Sequence, residues 1–158
     1  MVPTFRHPFG KSLAEFAARI ALCEAAARPF GGRVRVSGIE GEQAGPSYTL
    51  HTVRALQARH PGIQWVILIG RDLVAERPRW HDWPALRAAA PFLIVGRAGV
   101  GDDVLLDDER DQLVPIALPD VSSTEVRRRL LTSAATDGLL DERVRAHIDA
   151  AGLYRGPA

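Results

Sequence analysis

The sequence predicts an α/β fold, an open parallel sheet with helices on both faces. Two runs carry that expectation, Trp65-Val66-Ile67-Leu68-Ile69-Gly70 and Phe92-Leu93-Ile94-Val95-Gly96. Each is continuous, apolar and β-branched, the composition of a strand that a parallel sheet buries on both faces. The third observation is that such runs alternate along the chain with segments of helical periodicity, which is the signature of right-handed crossover units.

The elements follow in order. From Ser12 to Arg28, Leu13, Phe16, Ala17, Ile20 and Leu22 recur near helical spacing, with Ser12 as N-cap and Glu15 three residues later. Val34, Val36 and Ile39 alternate across Arg33 to Ile39, bounded by Gly31-Gly32 and by Gly38, Gly41 and Gly45, and predict a strand with one solvated face. Ser47 caps a second helix through Leu50, Val53, Leu56 and Gln57, which stops at His60-Pro61-Gly62. Asp72 to Arg79 and a short helix from Pro84 to Ala90 separate the two buried strands, and Leu113 to Leu118 reads as a further strand. Two helices close the chain, Ser123 to Leu131 and Asp141 to Ala151, the second ended by Gly152 as its C′ residue.

With 158 residues the chain is long enough for one packed core, so residues 1–158 are read as a single domain. A composition of 46% apolar and 25% charged residues with a formal net charge of +1 gives no general pull toward nucleic acid or membrane. No apolar run approaches the roughly 20 residues of a membrane helix. Cys23 is the lone cysteine, which excludes an internal disulfide and fits a reducing, cytoplasmic setting. The N-terminal stretch has Pro3 and Pro8 but no apolar core of a secretory signal, and it reads as a loop leaving a strand.

In open α/β sheets ligands bind beyond the carboxyl ends of the strands. Three such places stand out. Pro119 to Arg127 crowds Ser122, Ser123, Thr124 and Glu125 at a helix start, where unpaired N–H groups and the helix dipole hold phosphate and Arg127 can add a charge-assisted contact. On those residues alone an ordinary capped helix with solvated arginines explains the pattern as well. Gly70 and Asp72 follow the first buried strand, as a close-approach glycine and a carboxylate acceptor for a ribose, or as a strand-ending turn with a helix cap. In Arg79-Trp80-His81-Asp82-Trp83, Trp83 reads as a core anchor and Trp80 as a platform for stacking a ring. The acidic run at Asp102, Asp103, Asp107, Asp108, Glu109 and Asp111 lacks metal-ligand spacing and reads as a solvated, mobile loop. No H-E-x-x-H, G-x-S-x-G, Walker A or G-x-G-x-x-G pattern occurs, so zinc hydrolase, α/β-hydrolase, P-loop and dinucleotide-fingerprint readings fall away, and no metal site is assigned.

Taken in order, Pro3 to Lys11, Ser47-Tyr48-Thr49-Leu50, Ile69-Gly70-Arg71-Asp72, Trp80, Ser122-Ser123-Thr124-Glu125-Val126-Arg127 and Gly152-Leu153-Tyr154 resemble the bacterial nicotinate-nucleotide adenylyltransferases of the nucleotidyltransferase superfamily, over nearly the whole chain. The resemblance implies a Rossmann-like domain that transfers AMP from ATP to nicotinate mononucleotide, giving deamido-NAD and pyrophosphate in NAD biosynthesis. It implies that Ser122, Ser123, Thr124 and Arg127 hold the ATP phosphates, with Arg127 catalytic, and that Gly70 and Asp72 border the adenosine. Trp80 would stack on the nicotinate ring, Thr49 and His81 would offer backbone amides to its carboxylate, and Lys11 and Arg97 would lie near phosphates. Magnesium would arrive with ATP.

One departure is plain. The family begins with a central strand and an H-x-G-H motif that touches the ATP phosphates, and residues 1–158 contain no such motif. The expectation is a truncated domain, with Met1 an internal methionine and about one strand-loop-helix unit, roughly 30 residues, lying upstream. The Trp65 to Gly70 strand would then lose a neighbour. The alternatives are a sister enzyme, such as a phosphopantetheine adenylyltransferase or a cytidylyltransferase, and a non-catalytic nucleotide-binding remnant.

Overall fold

The structure is a computed structural model that describes residues 1–10, 12–96, 108–114, 116, 119 and 121–155. In chain order the elements are α1 (Phe16–Ala27), α2 (Thr49–Arg59), β1 (Ile67–Gly70), α3 (Trp83–Ala89), β2 (Phe92–Val95), β3 (Gln112–Val114), α4 (Ser123–Leu131) and α5 (Glu142–Ala150), with 3-10 turns at Arg28–Arg33, Ile39–Glu42 and Arg71–Arg79. They fall into two compact units, Tyr48–Asp120, and Met1–Ser47 with Val121–Ala158.

The Tyr48–Asp120 unit holds the sheet, an open α/β arrangement of three parallel strands in the order β1-β2-β3. Ile67 pairs with Phe92 and Ile69 with Ile94, and Ile94 in turn pairs with Leu113, so these side chains share one face. Ile69, Phe92 and Ile94 pack there against Leu50 and Val53 of α2 and Leu86 and Ala90 at α3. Burying a side chain of this size stabilises the fold by roughly 1.5–3 kcal/mol each. The expectation that the first strand is buried on both faces does not hold. Among the described strands it lies at an edge of the sheet, and Val66 and Leu68, which point away from that core, are 54% and 63% exposed.

A second correction concerns the acidic run. Asp111 is not a solvated loop residue: its side chain is buried and accepts from Arg77 Nη1 at 2.9 Å and from the Phe92 N–H at 2.8 Å. Arg77, fully buried in the Arg71–Arg79 turn, also lies 5.3 Å from the ring centre of Trp83 and 5.4 Å from that of Phe92. A buried guanidinium is tolerable because its charge is met by the carboxylate and by two ring faces. Asp108 is likewise engaged, accepting from Arg110, which holds its carboxyl far below the usual carboxylate range. Asp102, Asp103 and Asp107 lie outside the described residues.

The other unit is built on α1, α4 and α5. Val126 and Leu130 of α4 meet Ile148 of α5, with Leu22 of α1 and Leu153 packed against them. Gly152 ends α5 in the left-handed region (φ 63), and the N–H groups of Gly152 and Leu153 donate to Asp149 O and Ile148 O, the Schellman pairing that the sequence predicts for this glycine.

Two caps and one strand differ from the sequence reading. The first helix starts at Phe16 rather than Ser12: Arg19 donates to the Ala14 and Thr4 carbonyls, and Glu15, at ψ 142, takes the N-cap position. Ser47 does not cap α2: its hydroxyl accepts from the Arg6 N–H at 3.0 Å and its own N–H donates to Arg6 O at 2.8 Å, leaving Tyr48 as N-cap. Among the described residues, 34–38 join no sheet; the backbone there is bonded instead to Met1, whose amino group donates to Arg35 O and whose carbonyl accepts from the Ser37 N–H. Among the described residues no helix is long and apolar enough to cross a membrane.

Candidate functional site

In the Tyr48–Asp120 unit the candidate residues gather where α2 and α3 begin. Tyr48 is extended (φ −90°, ψ 133°) and its carbonyl accepts the Thr52 N–H at 3.1 Å and hydroxyl at 3.3 Å. Thr49 is the first residue of α2, a helix with no side-chain cap. The start of this helix therefore offers main-chain amides rather than a capping oxygen.

Across from it, the Trp80 N–H donates to Arg77 O at 2.9 Å and its half-buried ring meets Phe92 edge-on at 6.1 Å. Trp83 contacts the same Phe92 at 5.5 Å. Trp83 is the core anchor the sequence suggests, while Trp80 divides its surface between the core and the outside. His81 is exposed and stacks on the Tyr48 ring, 4.1 Å between centroids at 17°. His51 stands edge-on to both, 5.5 Å from Tyr48 and 5.2 Å from His81. The stack thus joins His81 to Tyr48, the residue before Thr49.

Immediately beyond His81 the chain is tense. Asp82 adopts the left-handed conformation (φ 46, ψ 58), and its Oδ1 caps α3 by accepting the Ala85 N–H at 3.3 Å. A non-glycine residue in this region is uncommon, although aspartate tolerates it better than most.

At the carboxyl end of β1, Gly70 is fixed by its neighbour. Asp72 Oδ1 occupies the space that a Cβ on Gly70 would need, so the glycine lets the Asp72 carboxylate fold back over the strand end.

In the Met1–Ser47 and Val121–Ala158 unit, the Ser122 hydroxyl caps α4 by accepting the Glu125 N–H at 3.1 Å. Ser123 and Thr124, both exposed, occupy the first turn. Glu125 turns away from the cap and accepts from Arg128 at 2.8 Å and from Arg129 at 2.7 Å; those bonds, Arg128's first, bring its carboxyl down to about 2. Arg127 is left with a 3.4 Å bond to the Thr124 hydroxyl, and no carboxylate among the described residues pairs with it. An exposed, unneutralised guanidinium beside the positive end of a helix is suited to an anion. Lys11 and Arg97 lie outside the described residues.

Tyr48 and His51 are the residues that sequence reasoning passed over. Tyr48 sits inside the Ser47-Tyr48-Thr49-Leu50 motif without a role, and His51 falls in no metal-ligand pattern. Their signal is a ring contact between distant segments, which no local spacing displays.

No family model matches the sequence. A protein of Anaeromyxobacter dehalogenans strain 2CP-1 named "Probable nicotinate-nucleotide adenylyltransferase" is 39% identical over 99% of this chain and 80% of its own length. A Myxococcus xanthus protein of the same name is 33% identical over 98% of this chain and 77% of its own. The chain belongs to the nicotinate-nucleotide adenylyltransferase family. It is by that membership a nucleotidyltransferase, and it spans about four fifths of the length of these relatives. Two solved structures of the Plasmodium falciparum nicotinic acid mononucleotide adenylyltransferase, complexed with NaAD and with APC, share its fold at TM-scores of 0.77 and 0.72. They are 18% and 17% identical, each covering 97% of this chain and 80% of theirs.

Proposed function

We propose that the chain transfers the adenylyl group of ATP to nicotinate mononucleotide, giving deamido-NAD and pyrophosphate. The observation that carries this reading is the pairing of a half-exposed aromatic face, Trp80, with the uncapped start of α2 and the Tyr48–His81 stack. A flat ring bearing a carboxylate matches both: the ring stacks on the indole and the carboxylate takes the main-chain amides of Thr49 and His81. Phosphopantetheine and a cytidylyl group have no use for that combination.

Ser122, Ser123, Thr124 and Arg127 serve the ATP phosphates at the start of α4, and Gly70 with Asp72 borders the adenosine. Arg127 is the catalytic residue, because it alone of these brings a full positive charge that no carboxylate among the described residues offsets. The mononucleotide phosphate attacks the α-phosphorus in line, the bond to the bridging oxygen of pyrophosphate breaks, and no covalent enzyme intermediate forms. Such a reaction asks for alignment and for positive charge where the transition state gathers negative charge. Magnesium enters with ATP as part of the substrate. Lys11 and Arg97 complete the phosphate-facing set in this reading. An upstream strand with an H-x-G-H motif belongs to it too, and the edge position of β1 among the described strands, with exposed Val66 and Leu68, supports such a neighbour.

The test is pyrophosphate release from ATP with nicotinate mononucleotide, compared with phosphopantetheine and with CTP, in the 158-residue chain and in a version extended through the upstream reading frame. Release confined to ATP plus nicotinate mononucleotide supports the reading. Turnover of phosphopantetheine, or nucleotide binding without turnover in either version, overturns it in favour of the sister enzyme or the remnant.

A further inference from the structure

We infer that His51 is a positioning residue for the nicotinate subsite: its imidazole buttresses the Tyr48–His81 stack and so holds the two main-chain donors, Thr49 and His81, in register for one carboxylate. The inference rests on the functional reading above and adds to it a residue without substrate contact.

The geometry is that of a three-ring corner. Tyr48 and His81 lie nearly parallel at 4.1 Å, and His51 closes the open side of the pair at interplanar angles of 84° to Tyr48 and 75° to His81. Offset-stacked and edge-to-face contacts are the favoured arrangements of such rings. The segments they join need that support. Tyr48 precedes a helix with no side-chain cap, and His81 precedes the left-handed Asp82 in an exposed turn. On α2, His51 lies two residues beyond Thr49, so its side chain ties the first turn of that helix to the turn at residue 81. Core packing accounts for none of this, because His51 and His81 are both exposed.

An edge-to-face contact corresponds to a factor of about 2 to 12 in an equilibrium. His51→Ala removes two, and loosening of the donors is expected to raise KM for nicotinate mononucleotide about tenfold while KM for ATP and the melting temperature stay near their original values. His51→Phe keeps the ring edge and is expected to restore KM to within about threefold. Binding of nicotinate mononucleotide, followed through Trp80 fluorescence, is measured beside the kinetics. Equal KM in the unsubstituted and His51→Ala proteins, or a His51→Phe variant as impaired as His51→Ala, overturns the positioning role while leaving the functional reading in place. An unsubstituted chain that neither binds nor converts nicotinate mononucleotide overturns both.

Discussion

Substituting Asp111 by alanine tests the packing account of the sheet. The carboxylate pairs with Arg77, whose side chain is fully buried, at 2.9 Å, and it also takes the Phe92 N–H at the start of β2. Its removal takes a carboxylate partner from a buried guanidinium and the acceptor from a buried amide. Breaking a buried pair from one side costs about 3–5 kcal/mol, a large share of the roughly 5–15 kcal/mol that stabilises a domain. At about 2–4 °C per kcal/mol for a chain of this size, the melting temperature falls by roughly 6–20 °C. Thermal and urea unfolding followed by circular dichroism measure it. The double variant Arg77→Met with Asp111→Asn keeps an acceptor for Phe92 and removes both charges, and it is expected to recover more than half of the loss. A loss below about 1 kcal/mol in Asp111→Ala, or a double variant no better than the single one, would refute the claim that this pair is desolvated and coupled.

Three further outcomes follow from the candidate site. Gly70→Ala forces the Asp72 carboxylate off the strand end; because the displaced atom ends a short side chain, the fold is kept, while KM for ATP rises about tenfold, the worth of a hydrogen bond to a charged group. Arg127→Ala lowers kcat by about 100-fold or more in the pyrophosphate assay without lowering the melting temperature, whereas an Arg127→Ala protein with full kcat removes this residue from the reaction. Glu125 titrates near 2 by carboxyl NMR and returns toward 4.5 in the Arg128→Ala, Arg129→Ala double variant. Since its folded value lies below its unfolded one, its contribution to stability is complete above about pH 4.5 and disappears as the pH falls toward 2, and a Glu125 midpoint near 4.5 in the unsubstituted protein contradicts the bonding described.

The parts of the fold that were legible in the sequence are those set by local chemistry. The run around Phe92, the capping serine of α4 and the terminal glycine of α5 each carry their own signal and form as read, and the run around Ile67 forms its strand but leaves Val66 and Leu68 exposed. What the sequence hid are the places where a distant partner outcompetes a local preference. Ser47 has the composition of a cap but is drawn to Arg6, Ser12 loses the helix start to Arg19, and the alternating residues 34–38 find Met1 rather than a strand. Asp111 is the sharpest case, since it sits in a charge run whose composition points to solvent, and only the folded chain sets Arg77 beside it. At the site the same division holds. Ser122, Gly70 and Trp80 stand out by residue type and by position after a strand or turn, whereas the role of His51 arises from a corner of three rings that no spacing reveals.

The most direct test of the central claim follows the phosphorus. The protein, in both the 158-residue and the upstream-extended versions, is incubated with magnesium, nicotinate mononucleotide and ATP labelled either at the α- or at the γ-phosphorus, and the products are separated. In-line adenylyl transfer predicts α-label in deamido-NAD and γ-label in pyrophosphate alone, at equal rates. Absence of label from the dinucleotide in both versions, or release of α-label only as free AMP, would contradict it.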